Sequence, residues 1–405
     1  MSFDRDTARA DTACVETAQG DTSALLDELR LHVERDDWST LPPSVYCSDE
    51  IFRLEQERVF RAGWMMVGHV SEVAEPGDYK AVDVAGEPMI LTRDRTGELH
   101  VLSRVCTHRW MDLCGGPGSG SAPSIQCPYH KWTFGLDGGL RAAPEMRDTP
   151  GFERDGYGLA EFRHEVWEGF VVVNVDGDAP STAKLWAPMS EQLAAYGLGD
   201  WRIVHSTKWG ESAWDWKVFM DNCECYHHIG IHDTTIEPLL PARLVVDAPD
   251  NGDYTLLYAG VAPELLVDDG HGGRDYPNAD PPVDGLDDQQ RTSLGLAYPF
   301  PNYVIALLPQ SAIWFEVHPL GAGRIDFTSH LLLPPHLLDA PNLEERIAGH
   351  VATFDAIHTE DIVVCEGVQR GLQSSAARPG MLSHLERHNR TFARWYARQM
   401  TDAAS

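Results

Sequence analysis

The stretch CTHRWMDLCGGPGSGSAPSIQCPYHKW, residues 106–132, carries two pairs of metal-binding side chains. Cys106 and His108 form the first pair, and Cys127 and His130 form the second pair eighteen residues further on. The connector is rich in Gly, Ser and Pro, so two short loops can bring the four side chains together. Two thiolates and two imidazoles suit either a single zinc ion or an iron–sulfur cluster with mixed ligands. The pairing of C-x-H with C-x2-H favours the cluster.

Short alternating segments surround this stretch. Between residues 77 and 106, the breaks Gly-Glu-Pro and Arg-Thr-Gly-Glu separate runs of strand-forming residues and predict hairpins. Residues 45–165 are therefore expected to form a compact all-β domain. Residues 1–44 are expected to form a disordered tail and a helix over Ser23–Arg35, where apolar residues recur at helical spacing.

The remainder of the chain mixes helices and strands. A helix is predicted around residues 214–232, a hairpin turning at Gly321-Ala322-Gly323, and a closing helix from Leu343 to Leu372. Antiparallel strands combined with helices predict an α+β domain over residues 166–400. The Asp-rich segment 267–288 is interpreted as a solvated loop, with a mobile lid over a pocket as the alternative.

Composition excludes several classes of partner. The chain has 405 residues and a formal charge of −30, from 62 acidic and 32 basic residues. Such a surface repels nucleic-acid phosphates and anionic lipid headgroups, so neither nucleic acid nor a membrane is expected as a partner. Eight cysteines without a secretory signal are interpreted as reduced thiols or metal ligands, which predicts a cytoplasmic protein.

The run Cys127-Pro128-Tyr129-His130, followed by Trp132, resembles the Rieske family. The resemblance implies a 2Fe–2S cluster in which two thiolates bind one iron and two imidazoles bind the other. Lys131 and Trp110 stand where the family commonly has glycine. Cys114 lies outside the ligand spacing and is interpreted as a small buried residue.

A second motif lies in DWKVFMDNCECYHHIGIHDTTIEPLLPAR, residues 215–243. On helical spacing alone, His228 and His232 share a face, because residues four apart are neighbours. The resemblance favours another pair. Rieske oxygenases carry an acid-x2-His-x4-His motif, which Glu224, His227 and His232 match, so His227 and His232 are predicted as ligands of a mononuclear Fe(II).

The third ligand is predicted in HTEDIVVCEGVQRGLQS, residues 358–374. Family members place it in a Glu-Asp pair ahead of a Val-Gln-x-Gly-Leu run, which assigns Asp361, with Glu360 in reserve. Two histidines and one carboxylate leave open positions on iron for O2.

The resemblance also implies a route for electrons. Glu224 would bridge the cluster of one subunit to the iron of the next, supported by Asp221 and Asn222, in a head-to-tail homotrimer. This chain is one residue shorter than many relatives between that Asn and the acid. Electrons would come from NAD(P)H through a separate ferredoxin or flavin reductase, because no Gly-rich nucleotide fingerprint is present. The resemblance is compatible with a homotrimer alone and with a homotrimer that also binds a small second subunit.

The resemblance covers residues 45–375 and implies an oxygenase whose catalytic domain has a helix-grip-like (START/Bet v 1-type) antiparallel sheet. The Glu-Cys-Tyr-His-His run is similar to the branch that hydroxylates small amines and quaternary ammonium compounds next to nitrogen. The alternatives are an aromatic-ring dihydroxylating large subunit and, as a non-enzyme, an electron carrier or sensor with a binding domain. Trp314, Phe315 and Tyr303 are candidate aromatic faces for a cation, although core packing is favoured for each.

Overall fold

The computed structural model describes residues 22–35, 38–270, 273–277 and 280–401. The predicted tail before residue 22 lies outside these residues. The α-helices are α1 (Thr22–Glu34), α2 (Asp49–Glu55), α3 (Thr182–Leu185), α4 (Ala187–Leu193), α5 (Trp216–Glu224), α6 (Asp288–Arg291), α7 (Pro335–Leu338), α8 (Leu343–Leu372) and α9 (Arg387–Thr401). The predicted helix over Ser23–Arg35 is confirmed within one residue, and the predicted closing helix coincides with α8.

The N-terminal part is built from short antiparallel strands. They are β1 (Met65–His69), β2 (Asp78–Val84), β3 (Glu87–Arg93), β4 (Leu99–Ser103), β5 (Gly118–Ser121), β6 (Ile125–Gln126), β7 (Thr133–Phe134), β8 (Leu140–Ala142), β9 (Arg163–Trp167) and β10 (Phe170–Asn174). These strands form sheets in the orders β4-β3-β2-β5, β6-β7-β8 and β1-β10-β9. Ile90, Leu102, Trp132 and Phe134 pack with Cys106 and Cys127 in one buried cluster. The first two sheets therefore enclose the loops that carry the Cys/His pairs.

The C-terminal part centres on a seven-stranded antiparallel sheet. Its strands are β11 (Arg202–Ser212), β12 (Val245–Asp247), β13 (Tyr254–Gly260), β16 (Ser293–Pro299), β17 (Val304–Leu308), β18 (Ser311–Gly321) and β19 (Arg324–Leu333), in the order β11-β19-β18-β17-β16-β13-β12, while β14 (Val267–Asp268) and β15 (Arg274–Asp275) pair separately. The predicted hairpin at 321–323 is confirmed between β18 and β19. Gly323 has φ = +70°, a left-handed conformation that glycine adopts readily.

Helix α8 lies across this sheet. Phe315 of β18 packs against Phe354 and His358 of α8, with ring centroids 6.0 and 6.2 Å apart. Phe327 of β19 packs on the same His358 at 4.8 Å. A long helix held over an antiparallel sheet by aromatic contacts confirms the predicted α+β class, and it leaves one face of α8 near the segment that follows α5.

The two parts share a buried interface. Met66 and Phe170 of the N-terminal strands belong to the same apolar cluster as Trp314 and Ile305 of the large sheet. The Lys80 ammonium on β2 lies 3.0 Å from the Glu316 carboxylate on β18, with both side chains mostly buried. A buried pair of this kind is costly to break from one side, so it fixes how the two parts meet.

Candidate functional site

The four residues of the two Cys/His pairs converge at the tip of the N-terminal part. Cys106 and Cys127 are buried, and the His108 and His130 rings lie 4.6 Å apart, centroid to centroid. The Nδ1 atoms of both histidines are buried and have no hydrogen-bond partner in the described chain. His108 also stacks on Trp132 at 4.6 Å and 6°, which fixes its ring plane.

This donor set fits a 2Fe–2S cluster. Buried polar atoms are normally hydrogen-bonded, so two orphaned imidazole nitrogens beside two buried thiols indicate ligands aimed at a common centre. Burial, with the nearby His130, lowers the pKa of His108. The ring is therefore neutral at pH 7, as a metal-binding imidazole must be.

The two ligand loops have matching turns. The Trp110 N–H donates to the Cys106 carbonyl, and the Lys131 N–H donates to the Cys127 carbonyl, at 2.9 and 3.1 Å. Trp110 and Lys131 have φ of +55° and +62°. Both positions are thus left-handed, which explains why glycine is common there in the family and indicates a cost of about 1–2 kcal/mol for each side chain.

Replacing Cys127 with serine is expected to abolish the visible absorbance of the cluster, because a hydroxyl is a poor substitute for a thiolate ligand on iron. Absorption spectra and acid-labile sulfide of the purified variant measure this. Cys114→Ser is the matched control, since Cys114 lies outside the ligand loops and is exposed, so its interpretation as a buried residue was wrong. An intact spectrum in Cys127→Ser would remove Cys127 from the ligand set.

A second group of metal-binding side chains lies beneath α8. His228, His232 and Asp361 offer ligand atoms that all lie within 4.8 Å of one another. The Asp361 Oδ1 atom is 3.2 Å from His232 Nε2 and 3.7 Å from His228 Nε2. The carboxylate comes from α8, and the histidines come from the 3-10 helix Tyr226–His232 that follows α5. Two imidazoles and one carboxylate are the donor set of a facial triad.

The predicted ligand His227 lies outside this group. Its side chain is 54% exposed, and its Nδ1 atom lies 3.3 Å from the Glu386 carboxylate. Helix α5 ends at Glu224, Cys225 is extended, and the chain re-enters a helical turn only at Tyr226. The structure thus places His228, and not His227, beside His232 and Asp361, while the assignment of His227 by resemblance stays a prediction. Helical spacing alone had favoured His228.

Neighbouring polar groups orient the triad. Glu360, the reserve ligand, lies on the far side of the His232 ring, with its Oε2 atom 2.6 Å from Nδ1. The Asn222 amide donates to Asp361 Oδ1 at 2.9 Å, a contact different from the support of Glu224 that the resemblance implied. Burial opposes ionisation of Asp361, but the hydrogen bonds from His232 and Asn222 outweigh it and lower its pKa. Glu360 therefore acts on the ring orientation of His232 rather than within the ligand group.

Glu224 and Asp221 do not contact these histidines. The Glu224 side chain is fully buried, its Oε1 atom accepts from the Thr255 hydroxyl at 3.0 Å, and its Oε2 atom has no hydrogen-bond partner among the described residues. Asp221 accepts from the Tyr46 hydroxyl at 2.6 Å, and burial raises its pKa to about 7. Within one chain neither carboxylate reaches the triad, so a bridge between subunits stays a prediction.

A Glu224→Gln variant is expected to be more stable than the parent at pH 8 but not at pH 5. Burial raises the pKa of Glu224 well above its usual value, so the folded chain keeps its proton while the unfolded chain loses it above about pH 4.3. The unfolded state then binds fewer protons, and the free energy of unfolding falls as pH rises. Glutamine cannot ionise, so residue 224 no longer lowers the free energy of unfolding of the variant as the pH rises.

Thermal unfolding of both proteins from pH 5 to pH 8 measures the effect. Glu366→Gln is the control, because Glu366 is an exposed acid on α8. A stability difference that does not widen with pH would show that Glu224 is ionised in the fold.

A cavity of about 660 Å³ adjoins the triad. Its walls are mostly apolar, and His228, His232 and Asp361 are among the residues that line it. The aromatic residues on its walls are Tyr226, Tyr276, Tyr298, Phe315 and Phe354. Of the three aromatic candidates named from the sequence, Phe315 lines the cavity, whereas Trp314 stacks on His330 and Tyr303 donates to the Trp64 carbonyl in the core. Phe315 and Trp314 are neighbours on one strand, so their side chains point to opposite faces of the sheet. The sequence did not show which of these faces borders the cavity, and therefore could not select Phe315.

Family models match both parts of the chain. A model described as the Rieske [2Fe-2S] domain matches residues 63–153, and one described as the ring hydroxylating alpha subunit (catalytic domain) matches residues 198–402. The cluster loops fall in the first match. His228, His232 and Asp361 fall in the match to the catalytic domain.

Individual relatives agree with these models. Choline monooxygenase of Spinacia oleracea is 26% identical, over 90% of this chain and 79% of that protein. The glycine betaine monooxygenase oxygenase subunit of Pseudomonas aeruginosa is 26% identical, over 93% of this chain and 92% of its own length. The solved structure of a quaternary ammonium Rieske monooxygenase has a TM-score of 0.75 at 22% identity, covering 89% of this chain and 95% of that one, which shows a shared fold.

Among the residues that the structure describes, no helix has both the length and the apolar character to cross a bilayer.

Proposed function

This chain belongs to the family of ring-hydroxylating alpha subunits and is a Rieske non-haem iron oxygenase, and we propose that it hydroxylates a carbon next to nitrogen in an amine or quaternary ammonium substrate. Cys106, His108, Cys127 and His130 would hold the cluster within residues 45–165. His228, His232 and Asp361 would hold the mononuclear iron within residues 166–400. The observation that carries this proposal is that His228, His232 and Asp361 lie together in the wall of a mostly apolar cavity.

The reaction is balanced with electrons from outside the chain. One C–H bond of the substrate, O2, two electrons and two protons give the alcohol and one water. When the hydroxylated carbon is attached to nitrogen, the C–N bond then breaks and releases an aldehyde and the shortened amine. The cluster supplies single-electron transfer, and the iron supplies open coordination positions for O2.

The protein's own residues bind and orient. Asn222 and Glu360 fix the carboxylate and one imidazole, so the remaining side of the site faces the cavity. Tyr226, Tyr298 and Phe315 lie on its walls, and aromatic faces attract an ammonium group where water is excluded. Together these features favour oxidation next to a cationic nitrogen, and the choline and glycine betaine monooxygenases among the relatives are named for quaternary ammonium substrates.

The electron donor is proposed to be a separate ferredoxin or flavin reductase that draws on NAD(P)H. The solved relative is described as transferring electrons between subunits, and we propose the same head-to-tail arrangement here, as a homotrimer. Trp110, Met111 and Tyr129 are exposed apolar side chains around the cluster tip. Such a patch is typical of a protein contact.

A turnover assay tests the function. The protein, loaded with both metal centres, is supplied with NAD(P)H and a generic ferredoxin and reductase pair, and choline, glycine betaine and carnitine are offered as substrates. Formaldehyde or another aldehyde, formed in proportion to O2 consumed, is the expected result. A cis-diol from an aromatic substrate, with no aldehyde from any amine, would favour ring dihydroxylation instead. Two irons per chain after full reconstitution, rather than three, would favour the electron carrier.

A further inference from the structure

The cavity follows one face of α8 for most of the distance from its N-terminus to the triad. Lining residues recur three or four positions apart along this helix, which places them on a single stripe. They include Asn342, Arg346, His350, Thr353, Ile357 and Asp361. Arg346 and Asp361 are fifteen residues apart, so about 22 Å of helix axis separates them. The cavity is therefore long, with the metal ligands at one end.

An ion pair occupies the other end. The Arg346 guanidinium pairs with the Asp280 carboxylate, whose side chain is 5% exposed, and His350 Nε2 lies 3.5 Å from the same carboxylate. Arg346 is the only lysine or arginine among the cavity-lining residues described. Its Nε atom also donates to the Pro341 carbonyl at 3.2 Å, which holds the guanidinium in place. A guanidinium held in one position is suited to bind a carboxylate. Here the Asp280 carboxylate of the chain itself occupies that position.

Most of the remaining lining is apolar. It includes Leu239, Leu294, Leu296, Ile236 and Phe354. Choline and glycine betaine are too short to reach from the metal ligands to Arg346. After the reach of both end groups is subtracted, at least about 12 Å remain, roughly ten methylene groups in an extended chain.

We propose that the substrate is an elongated amine with a long apolar body and a carboxylate, and that Arg346 binds this carboxylate at the end remote from the oxidised carbon. The proposal rests on the proposed function, since it takes the amine end to lie at the triad. Asp280 occupies the carboxylate site in the free chain and gives way to the substrate's own carboxylate. This makes Arg346 and Asp280 determinants of substrate selectivity with opposite effects.

Binding of a matched ligand series tests it. The first series is (CH3)3N+–(CH2)n–COO−, with n from 1 to 11, and the second is the alkyltrimethylammonium ions of equal length, which end in a methyl group. Affinities are measured by calorimetry on the metal-loaded protein, without O2 or electron donor and below micelle concentrations. We expect the dissociation constant to fall about two- to fourfold per added methylene, up to about ten methylenes.

Variants then separate length from charge. Arg346→Gln is expected to weaken the longest carboxylates at least about tenfold, to change the equally long alkyl ions less than about twofold, and to be partly rescued by Arg346→Lys. Asp280→Asn is expected to tighten the long carboxylates. Arg370→Gln is the control, because Arg370 is an exposed residue near the opposite end of α8. Cluster absorbance and circular dichroism confirm that each variant is folded.

Three outcomes would overturn the proposal. The first is a dissociation constant that does not change with n. The second is an Arg346→Gln variant that weakens both ligand series equally, and the third is an Asp280→Asn variant that binds the long carboxylates more weakly than the parent. Failure of the proposed function looks different, because binding would keep its length and charge dependence while no aldehyde forms. Conversely, aldehyde formed from choline together with length-independent binding would leave the function intact and reject the elongated substrate.

Discussion

Asp361→Asn is expected to leave two irons per chain instead of three, with the cluster's visible spectrum unchanged. The amide removes the only carboxylate in the ligand group and cannot supply its negative charge to the metal. Turnover should fall by about 10³-fold or more, because O2 activation depends on that metal. Iron analysis and the aldehyde assay on the same preparation measure both effects.

Glu366→Gln is the matched control for Asp361→Asn. It is an acid on the same helix whose side chain is exposed and 3.6 Å from Arg370. Full retention of the third iron in Asp361→Asn would show that another group, with Glu360 nearest, completes the site.

His228→Ala and His227→Ala are expected to behave oppositely. His228→Ala removes one of two imidazoles from the ligand group and should lose the third iron and turnover together. His227→Ala removes an exposed side chain whose partner is Glu386, and such a surface pair contributes about 0–1 kcal/mol. Its iron content should be that of the parent, with turnover changed less than about threefold.

Chelator competition at fixed pH ranks the iron affinity of the two variants, and the cluster spectrum serves as the internal control in each. The reverse ranking, with iron lost from His227→Ala and retained by His228→Ala, would restore the assignment made by resemblance. Loss of iron from both would indicate that the site needs both side chains.

Spacing along the chain was sufficient to predict the two Cys/His pairs, because the two members of each pair lie on the same short loop. Cys106 with His108, and Cys127 with His130, lie within three residues of each other, so backbone geometry alone keeps each pair together. The α+β class and the bounds of α8 also followed from periodicity, because amphipathic patterns are local properties.

Spacing along the chain was not sufficient to predict the group around the mononuclear site. Sequence motifs named His232 and Asp361, and the structure brings them together across 129 residues of chain. The choice between His227 and His228 depended on where α5 ends and how Cys225 turns the chain. Those are outcomes of packing.

The sequence by itself determined the metal-binding residue types, the cluster loops and the antiparallel architecture, because each depends on neighbours along the chain. Only the tertiary structure showed that His228 lies beside His232 and Asp361, that Glu224 is buried against Thr255, and that Arg346 pairs with Asp280. It also showed that Trp110 and Lys131 occupy left-handed turns beside the cluster. These features arise where distant segments pack together, and no local pattern encodes the rotation or separation at which they meet.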